Sequence, residues 1–131
     1  GMLGQRADVA DLLNAGDVGL LASHQEGFSN AILEGMRAGL PMIVTDVGGN
    51  AEAVIDGETG IVVPSHNPEA FADAILRLAS DPALRRSFGD SGRQRVARHF
   101  SLSACVDAYE AMYAGLLAGK RPADIAEIRL T

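Results

Sequence analysis

The stretch that decides the fold is SHQEGFSNAILEGM, residues 23–36. It follows a continuous apolar run at residues 18–22, and it brings Ile32, Leu33 and Met36 to helical spacing. A short apolar run of that kind is typical of a strand that is covered on both faces, as in a parallel sheet. The stretch therefore predicts a buried strand, a polar loop and a helix in succession.

The sequence on either side continues this alternation of helices and strands. A helix is predicted before the first strand, at residues 8–16, where Asp8 is a suitable cap. Two further strands are predicted at residues 42–45 and 61–63, with a short helix capped by Asn50 between them. This order predicts an α/β fold with a Rossmann-like parallel sheet of three to four strands, flanked by helices and joined by right-handed crossovers.

The second half of the chain shows helical periodicity only, so a helical C-terminal half is expected. Helices are predicted to begin at Pro68, at Pro82 and after Ser101. Three strands are few for a doubly wound domain, so the chain looks like the second half of a larger nucleotide-binding domain. We expect Cys105 to be a small core residue. The apolar positions expected to pack over the sheet or onto a partner are Phe71, Ile75, Leu78, Leu84, Phe88, Val96, Val106, Tyr109, Met112, Tyr113, Leu116 and Leu117.

Composition argues against several classes of function. Lys and Arg number 11 against 17 Asp and Glu, and the net charge of -6 disfavours nucleic acid as a partner. One cysteine cannot form an internal disulfide, and the three scattered histidines predict no metal site. The sequence has no long apolar run and no secretory signal, which favours a cytoplasmic protein. We expect one domain at residues 3–118, a tail at 119–131 and a tag-cleavage remnant at 1–2, so that the natural chain is longer.

The start of the second predicted helix is a candidate anion site. It lies just beyond the carboxyl end of a strand, where open α/β sheets bind their ligands. Gly27 permits close approach of the backbone, and the free amides at the helix start suit an anion such as a diphosphate. Ser29, Asn30 and Ala31 are the residues predicted to contact that diphosphate.

Two carboxylates bracket the anion site. Glu26 precedes the helix, and Glu34 lies about 7 Å along its axis from the first turn. A carboxylate is unfavourable beside a phosphate, so its natural partners are hydroxyl groups on neutral rings. The arrangement therefore suits a sugar nucleotide, with Glu26 on the hexose and Glu34 on the ribose. Each glutamate alone also has an ordinary explanation, because acidic residues favour the positive end of a helix.

Other side chains near this loop leave two interpretations open. Gly48 and Gly49 either approach a ligand through their amides or simply form a turn between a strand and a helix. His24 either reaches a sugar or an acceptor, or is solvated. An arginine group indicates a solvated helix face or a peripheral membrane contact of the full-length protein. Its members are Arg85, Arg86, Arg93, Arg95 and Arg98.

The run from Glu26 to Glu34 resembles the E-x7-E signature of retaining glycosyltransferases of the GT-B fold, family 4. The resemblance extends from about Leu3 to about Leu117 and implies that the chain is part of the C-terminal, donor-binding domain of such an enzyme. Gly35 and Arg37 depart from it, since the family usually has Ala there, and we expect no functional consequence. The other matching segments are residues 26–30, 33–36, 38–41, 46–52 and 56–60.

The resemblance also implies roles for individual residues. Glu26, with the backbone of Gly27 and Phe28, would contact the donor sugar, and Glu34 would hold the ribose. The family transfers a sugar from a nucleotide sugar to an acceptor with retained configuration, and it needs neither a metal ion nor another cofactor. In the family the acceptor site and a catalytic residue come from an N-terminal domain, which this chain does not match. We therefore expect no catalytic residue here, weak donor binding and no transferase activity of the chain alone.

Two alternatives to a transferase remain open from the sequence. One is half of a GT-B-like sugar-nucleotide 2-epimerase, which would use no acceptor. The other is a non-catalytic module that binds a nucleotide or a partner. Because half of a parallel sheet leaves the strand at residues 18–22 or its missing neighbour unpaired, we also expect a homodimer or a domain-swapped pair.

Overall fold

The computed structural model describes residues 4–121, and the chain divides into two compact units, Gly1–Gln94 and Arg95–Thr131. The expected remnant at residues 1–2 and most of the expected tail, residues 122–131, lie outside the described residues.

The first unit is built on a parallel sheet. Its strands are β1 (Gly19–Leu21), β2 (Met42–Thr45) and β3 (Gly60–Val63). They lie in the order β1-β2-β3, and all pairs are parallel. Ile43 in the middle strand is paired with Leu20 on one side and with Ile61 on the other. The predicted parallel α/β sheet is therefore confirmed, with three strands.

The strands differ in burial according to their place in the sheet. All four residues of β2 are buried, as a strand between two neighbours requires. β1 is an edge strand whose central residue, Leu20, is 52% exposed. The prediction that residues 18–22 are covered on both faces is therefore wrong. The run is apolar, but within the described chain only β2 pairs with this strand.

Three helices alternate with these strands: α1 (Val9–Asn14), α2 (Asn30–Ala38) and α3 (Asn50–Ala53). Asp8 precedes α1 as expected, but its side chain caps no amide and instead accepts hydrogen bonds from Arg6. This hydrogen bond lowers the pKa of the Asp8 carboxyl. Asn50 also differs from its predicted role as a cap, because it is the first residue of α3 and donates its side-chain amide to the Thr45 carbonyl, at 3.0 Å.

Two longer helices follow the sheet, α4 (Pro68–Ser80) and α5 (Pro82–His99). Both begin at the predicted prolines, and the Asn67 side chain caps α4 by accepting from the Ala70 amide, at 3.0 Å. Ile75 is 36% exposed, so its predicted packing is only partial. The core cluster of this unit joins both helices to the sheet and consists of Ile43, Ile61, Val63, Ala74, Leu78 and Phe88.

The arginines of α5 do more than form a solvated face. Arg85 donates to the carbonyls of Leu78 and Ala79, at 2.7 and 2.9 Å, near the end of α4. Arg93 donates to the Ala38 carbonyl, at 3.1 Å, at the end of α2. These guanidinium groups therefore satisfy carbonyls that the ends of helices leave without intrahelical partners.

The second unit contains the last helix, α6 (Leu102–Leu117), which begins after Ser101 as predicted. The Ser101 hydroxyl caps it by accepting from the Ala104 amide, at 3.2 Å. No residue of α6 is buried. Cys105 is exposed, so its prediction as a core residue is wrong. Helical periodicity located this helix correctly, but periodicity does not show what covers the apolar residues of a helix.

None of the helices described in residues 4–121 is both long enough and apolar enough to cross a bilayer. In the same part of the chain, no three His, Cys, Asp or Glu side chains are grouped so that they could hold a metal ion.

Candidate functional site

Two loops meet at the carboxyl edge of the sheet. The first, residues 22–29, connects β1 to α2, and the second, residues 46–49, connects β2 to α3. Because β1 and β2 are parallel neighbours, both loops emerge at the same edge. The stretch singled out in the sequence therefore lies where open α/β sheets carry their ligand sites.

The glycines of the second loop are required by close contact with the first loop. The Gly49 amide donates to the Gly27 carbonyl, at 2.7 Å. Gly48 has a φ of 53°, and a Cβ atom there would collide with the carbonyl group of Glu26. A Cβ atom on Gly49 would lie 2.8 Å from the Gly27 oxygen and 2.9 Å from the Phe28 ring. The two glycines thus serve more than a turn, since they let one loop pack on the other.

Glu26 is held in place by a short chain of hydrogen bonds. The Ser23 hydroxyl donates to Oε1 of Glu26, at 2.7 Å. The Ser23 carbonyl accepts from the hydroxyl of Thr45, at 2.6 Å, and Thr45 is a buried residue at the end of β2. The Glu26 carboxylate is therefore linked through Ser23 to the central strand. Ser23 was not among the predicted site residues, although it lies only three residues before Glu26.

The first turn of α2 has the geometry expected for an anion site. Ser29 is the N-cap residue with an extended backbone, and its side chain caps no amide. Asn30 is the first helical residue and Ala31 follows it, so both amides point out of the helix start without intrahelical acceptors. Phe28, which precedes the cap, is 41% exposed. The structure therefore puts the predicted diphosphate-binding residues at a true helix start.

The two glutamates line different pockets. Glu26 lines an open cleft of about 640 Å³ together with His24, Gln25, Gly27, Val47 and Gly48. Glu34 lines a second pocket of about 490 Å³ between α1 and α2, together with Val9, Leu13 and Arg37 among others. The structure thus brings His24, Glu26, Gly27 and Gly48 together in one cleft, whereas Glu34 lies on α2 and lines a separate pocket.

A histidine pair lies beside this cleft. The rings of His24 and His66 are stacked, with centroids 4.5 Å apart and planes inclined by 8°. His24 follows β1 and His66 follows β3, so parallel strands bring both to the same edge. The three histidines are scattered along the sequence, so this pair was not predicted. The signal was available, because both residues lie two to three positions beyond the end of a strand.

Comparison with known proteins identifies relatives along most of the chain. A model of the family described as glycosyl transferases group 1 matches residues 1–81. The N-acetyl-alpha-D-glucosaminyl L-malate synthase of Bacillus anthracis is 36% identical over 115 residues, which are 88% of this chain and 30% of that protein.

Two solved structures show the same fold. A glycosyltransferase from Rickettsia africae matches with a TM-score of 0.80 and 28% identity, over 89% of this chain and 32% of its own. The sucrose-phosphate synthase of Thermosynechococcus elongatus matches with a TM-score of 0.73 and 36% identity, over 83% of this chain and 27% of its own. The chain spans about a third or less of each of these three proteins. The fold is that of GT-B glycosyltransferases, and the chain belongs to the glycosyl transferases group 1 family.

Proposed function

We propose that this chain is the donor-binding part of a retaining glycosyltransferase, which transfers a sugar from a nucleotide sugar to an acceptor without a metal ion. The observation that carries the proposal is the position of Glu26. Its carboxylate is held by Ser23 at the edge of an open cleft, a few residues before the exposed amides of α2. A fixed acidic acceptor next to an anion-binding helix start suits a ligand that carries hydroxyl groups beside a diphosphate.

The separation of the two glutamates supports an extended ligand. A nucleotide sugar has a hexose at one end of its diphosphate and a ribose at the other. Glu26 and Glu34 line different pockets, and Glu34 follows Asn30 by four residues, or about 6 Å of helix. We propose that Glu26 binds the hexose with the backbone of Gly27 and Phe28, that the amides of residues 29–31 bind the diphosphate, and that Glu34 binds the ribose.

The acceptor and the chemical step need residues that this chain does not supply. The chain spans 30% of its Bacillus relative, so most of that protein has no counterpart here. We propose that the 131-residue chain binds the donor weakly and has no transferase activity by itself, and that the full-length protein works in the cytoplasm.

Titration of the chain with nucleotides tests this proposal. UDP, UDP-glucose, UDP-N-acetylglucosamine, GDP and GDP-mannose are added in turn, and affinities are measured by isothermal titration calorimetry. We expect at least one sugar nucleotide to bind more tightly than its free diphosphate. In Glu26→Gln that preference should disappear while diphosphate binding persists, because only the sugar contact is weakened. In Glu34→Gln both affinities should fall by about tenfold, which is about 1.4 kcal/mol.

The matched control is Glu58→Gln, an exposed glutamate in the turn before β3. It removes the same charge outside both pockets and should leave every affinity unchanged within about twofold. If Glu26→Gln weakens UDP and UDP-glucose equally, or if the chain prefers the free diphosphate, the proposed orientation of the donor is wrong.

A further inference from the structure

The pocket that Glu34 lines has the size and the lining of a small-molecule site. Its volume is about 490 Å³. Most of its lining is apolar and comes from Val9, Ala10, Leu13 and Ala38. Small-molecule sites are typically concave and mainly apolar, of about 300–1,000 Å³, with a few polar groups that orient the ligand. The pocket therefore suits a flat group whose faces are apolar and whose edge carries polar atoms.

Arg37 brings a positive charge to this pocket. Glu34 and Arg37 both line it and lie three residues apart on α2, a spacing at which opposite charges often pair. Within residues 4–121, however, Arg37 forms neither an ion pair nor a side-chain hydrogen bond. Both side chains are exposed, so each is available to a ligand.

The end of α2 is already stabilised without the Arg37 side chain. A cation in the last turn of a helix commonly complements its negative end or bonds its last carbonyls. Here the carbonyl of Ala38, the last residue of α2, accepts from the Arg93 guanidinium, at 3.1 Å. Arg37 is also one of the two departures from the resembled family, and no functional consequence was expected of it. A role in ligand binding gives that departure a chemical reason.

The order of groups along α2 indicates which part of the donor meets Arg37. The proposed diphosphate lies at residues 29–31 and the proposed ribose at Glu34, and Arg37 follows Glu34 by about 4.5 Å of helix. In a nucleotide the base is attached to the ribose at the end opposite the diphosphate. A base that continues in this direction reaches the pocket, where apolar side chains suit its faces and Arg37 suits its edge.

The hydrogen-bonding groups of arginine select among the bases. A guanidinium has only N–H donors, which form a rigid fork. Guanine presents two neighbouring acceptors, O6 and N7, that one fork can contact together, whereas adenine has an amino donor beside its N7 and uracil has no second acceptor beside O4. We propose that Arg37 binds the O6 and N7 edge of guanine, so that the donor of this transferase is a GDP-linked sugar. This inference rests on the proposed function, because the base is located from the diphosphate and the ribose.

A ligand that differs from GDP at one ring position tests this contact. GDP, UDP and 7-deaza-GDP, which lacks the N7 acceptor, are titrated into the 131-residue chain, and affinities are measured by isothermal titration calorimetry. We expect GDP to bind about tenfold or more tightly than UDP, and about fivefold or more tightly than 7-deaza-GDP. In Arg37→Ala the three ligands should bind within about threefold of one another, because the contact that distinguishes them is gone.

Two further variants separate recognition of the base from charge and from folding. Arg37→Lys keeps the positive charge but not the fork, so it should lose most of the preference for GDP over 7-deaza-GDP. Arg86→Ala is the matched control, since it removes an exposed arginine of α5 that does not line the pocket, and it should leave every affinity unchanged within about twofold. The unfolding midpoints of the Arg37 variants should stay close to that of the unaltered chain.

The possible outcomes distinguish this inference from the proposed function. Equal affinities for GDP and 7-deaza-GDP in the unaltered chain overturn the inference, as does a preference for GDP that survives in Arg37→Ala. If Arg37→Ala weakens GDP and UDP by the same factor, the residue contacts the diphosphate and not the base, and the inference is wrong. If none of the three diphosphates binds, the proposed function itself is wrong and the inference falls with it.

Discussion

The candidate cleft depends on the absence of a side chain at Gly48. The residue has a φ of 53°, and its missing side chain leaves room for the carbonyl group of Glu26. Because the Gly49 amide also donates to the Gly27 carbonyl, the loop after β2 packs directly on the loop after β1. Substitutions at these residues should therefore change binding and stability together.

Gly48→Ala should be much more harmful than a similar substitution elsewhere. Gly57 is the matched control, since its φ is 74° and nothing lies within 4 Å of a Cβ atom placed there. Gly57→Ala should cost about 1 kcal/mol from backbone strain alone and leave donor binding unchanged. Gly48→Ala should cost about 2–4 kcal/mol and weaken donor binding by about tenfold or more, because the Glu26 loop must move. Chemical denaturation and calorimetry measure both quantities, and equal effects of the two substitutions would contradict the account.

Ser23 is expected to act as a positioning residue. Ser23→Ala removes the hydrogen bond to Glu26 and should lower stability by about 1 kcal/mol. It should also reduce the affinity for the sugar nucleotide by about threefold to tenfold while leaving the free diphosphate unaffected, since only the carboxylate is released. Ser23→Thr keeps the hydroxyl and should restore the preference. Loss of diphosphate binding in Ser23→Ala would assign the residue a general structural role instead.

At the scale of elements, α2 packs closely on Met42 at the start of β2 because Gly35 has no side chain. Gly35 is buried in the middle of α2, and a Cβ atom there would lie 2.6 Å from the sulfur of Met42. Gly35 is one of the two departures from the resembled family, and the sequence offered no reason for it. The structure provides one, because the first residue of β2 occupies the space that an alanine side chain would need.

A double-mutant cycle tests this fit. Gly35→Ala gains about 1 kcal/mol of helix propensity, but overpacking against Met42 costs about 1–3 kcal/mol. Met42→Val alone removes buried volume and should cost about 1–2 kcal/mol. Together the two changes should compensate, with a favourable coupling of at least about 1 kcal/mol in urea denaturation. Additive effects would show that the two residues do not share this space.

The sequence predicted elements better than it predicted their surroundings. The run Met42–Thr45 was correctly assigned as a buried strand, and the same rule applied to residues 18–22 failed. Both runs are apolar, but burial depends on neighbouring strands, which a strand's own residues do not encode. Cys105 was misplaced for the same reason, since periodicity gives a helix but not its cover.

The candidate site was predictable where local chemistry determines it. Glu26, Gly27 and the start of α2 follow from a strand, a glycine and a cap in sequence order. The pairs His24 with His66, and Ser23 with Thr45, join residues that are distant in the chain. Those pairs depend on the order of the strands and on side-chain direction, so they required the structure.

At the scale of the whole molecule, apolar surface remains exposed. Leu20 on the edge strand β1 is 52% exposed. An exposed strand edge is a template for pairing with another chain. We therefore keep the expectation that the chain forms a dimer or a domain-swapped pair through β1.

This association is tested by measuring the molar mass with light scattering after a charge is placed on the edge strand. Leu20→Glu places like charges opposite each other across a paired edge and should convert the dimer into a monomer. Leu76→Glu is the matched control, since Leu76 is 66% exposed on α4, away from the strand edge, and should leave the dimer intact. A monomer at high protein concentration in the unaltered chain would contradict the expectation.

The central claim is that the start of α2 binds a diphosphate while Glu26 binds the attached sugar, and amide chemical shifts test it most directly. The sugar nucleotide that binds best and its free diphosphate are titrated separately into isotope-labelled chain. The account predicts that the amides of residues 29–31 shift with both ligands, and that those of Glu26 and Gly27 shift only when the sugar is present. Shifts that leave the start of α2 unchanged, or that are identical for the two ligands, would contradict it.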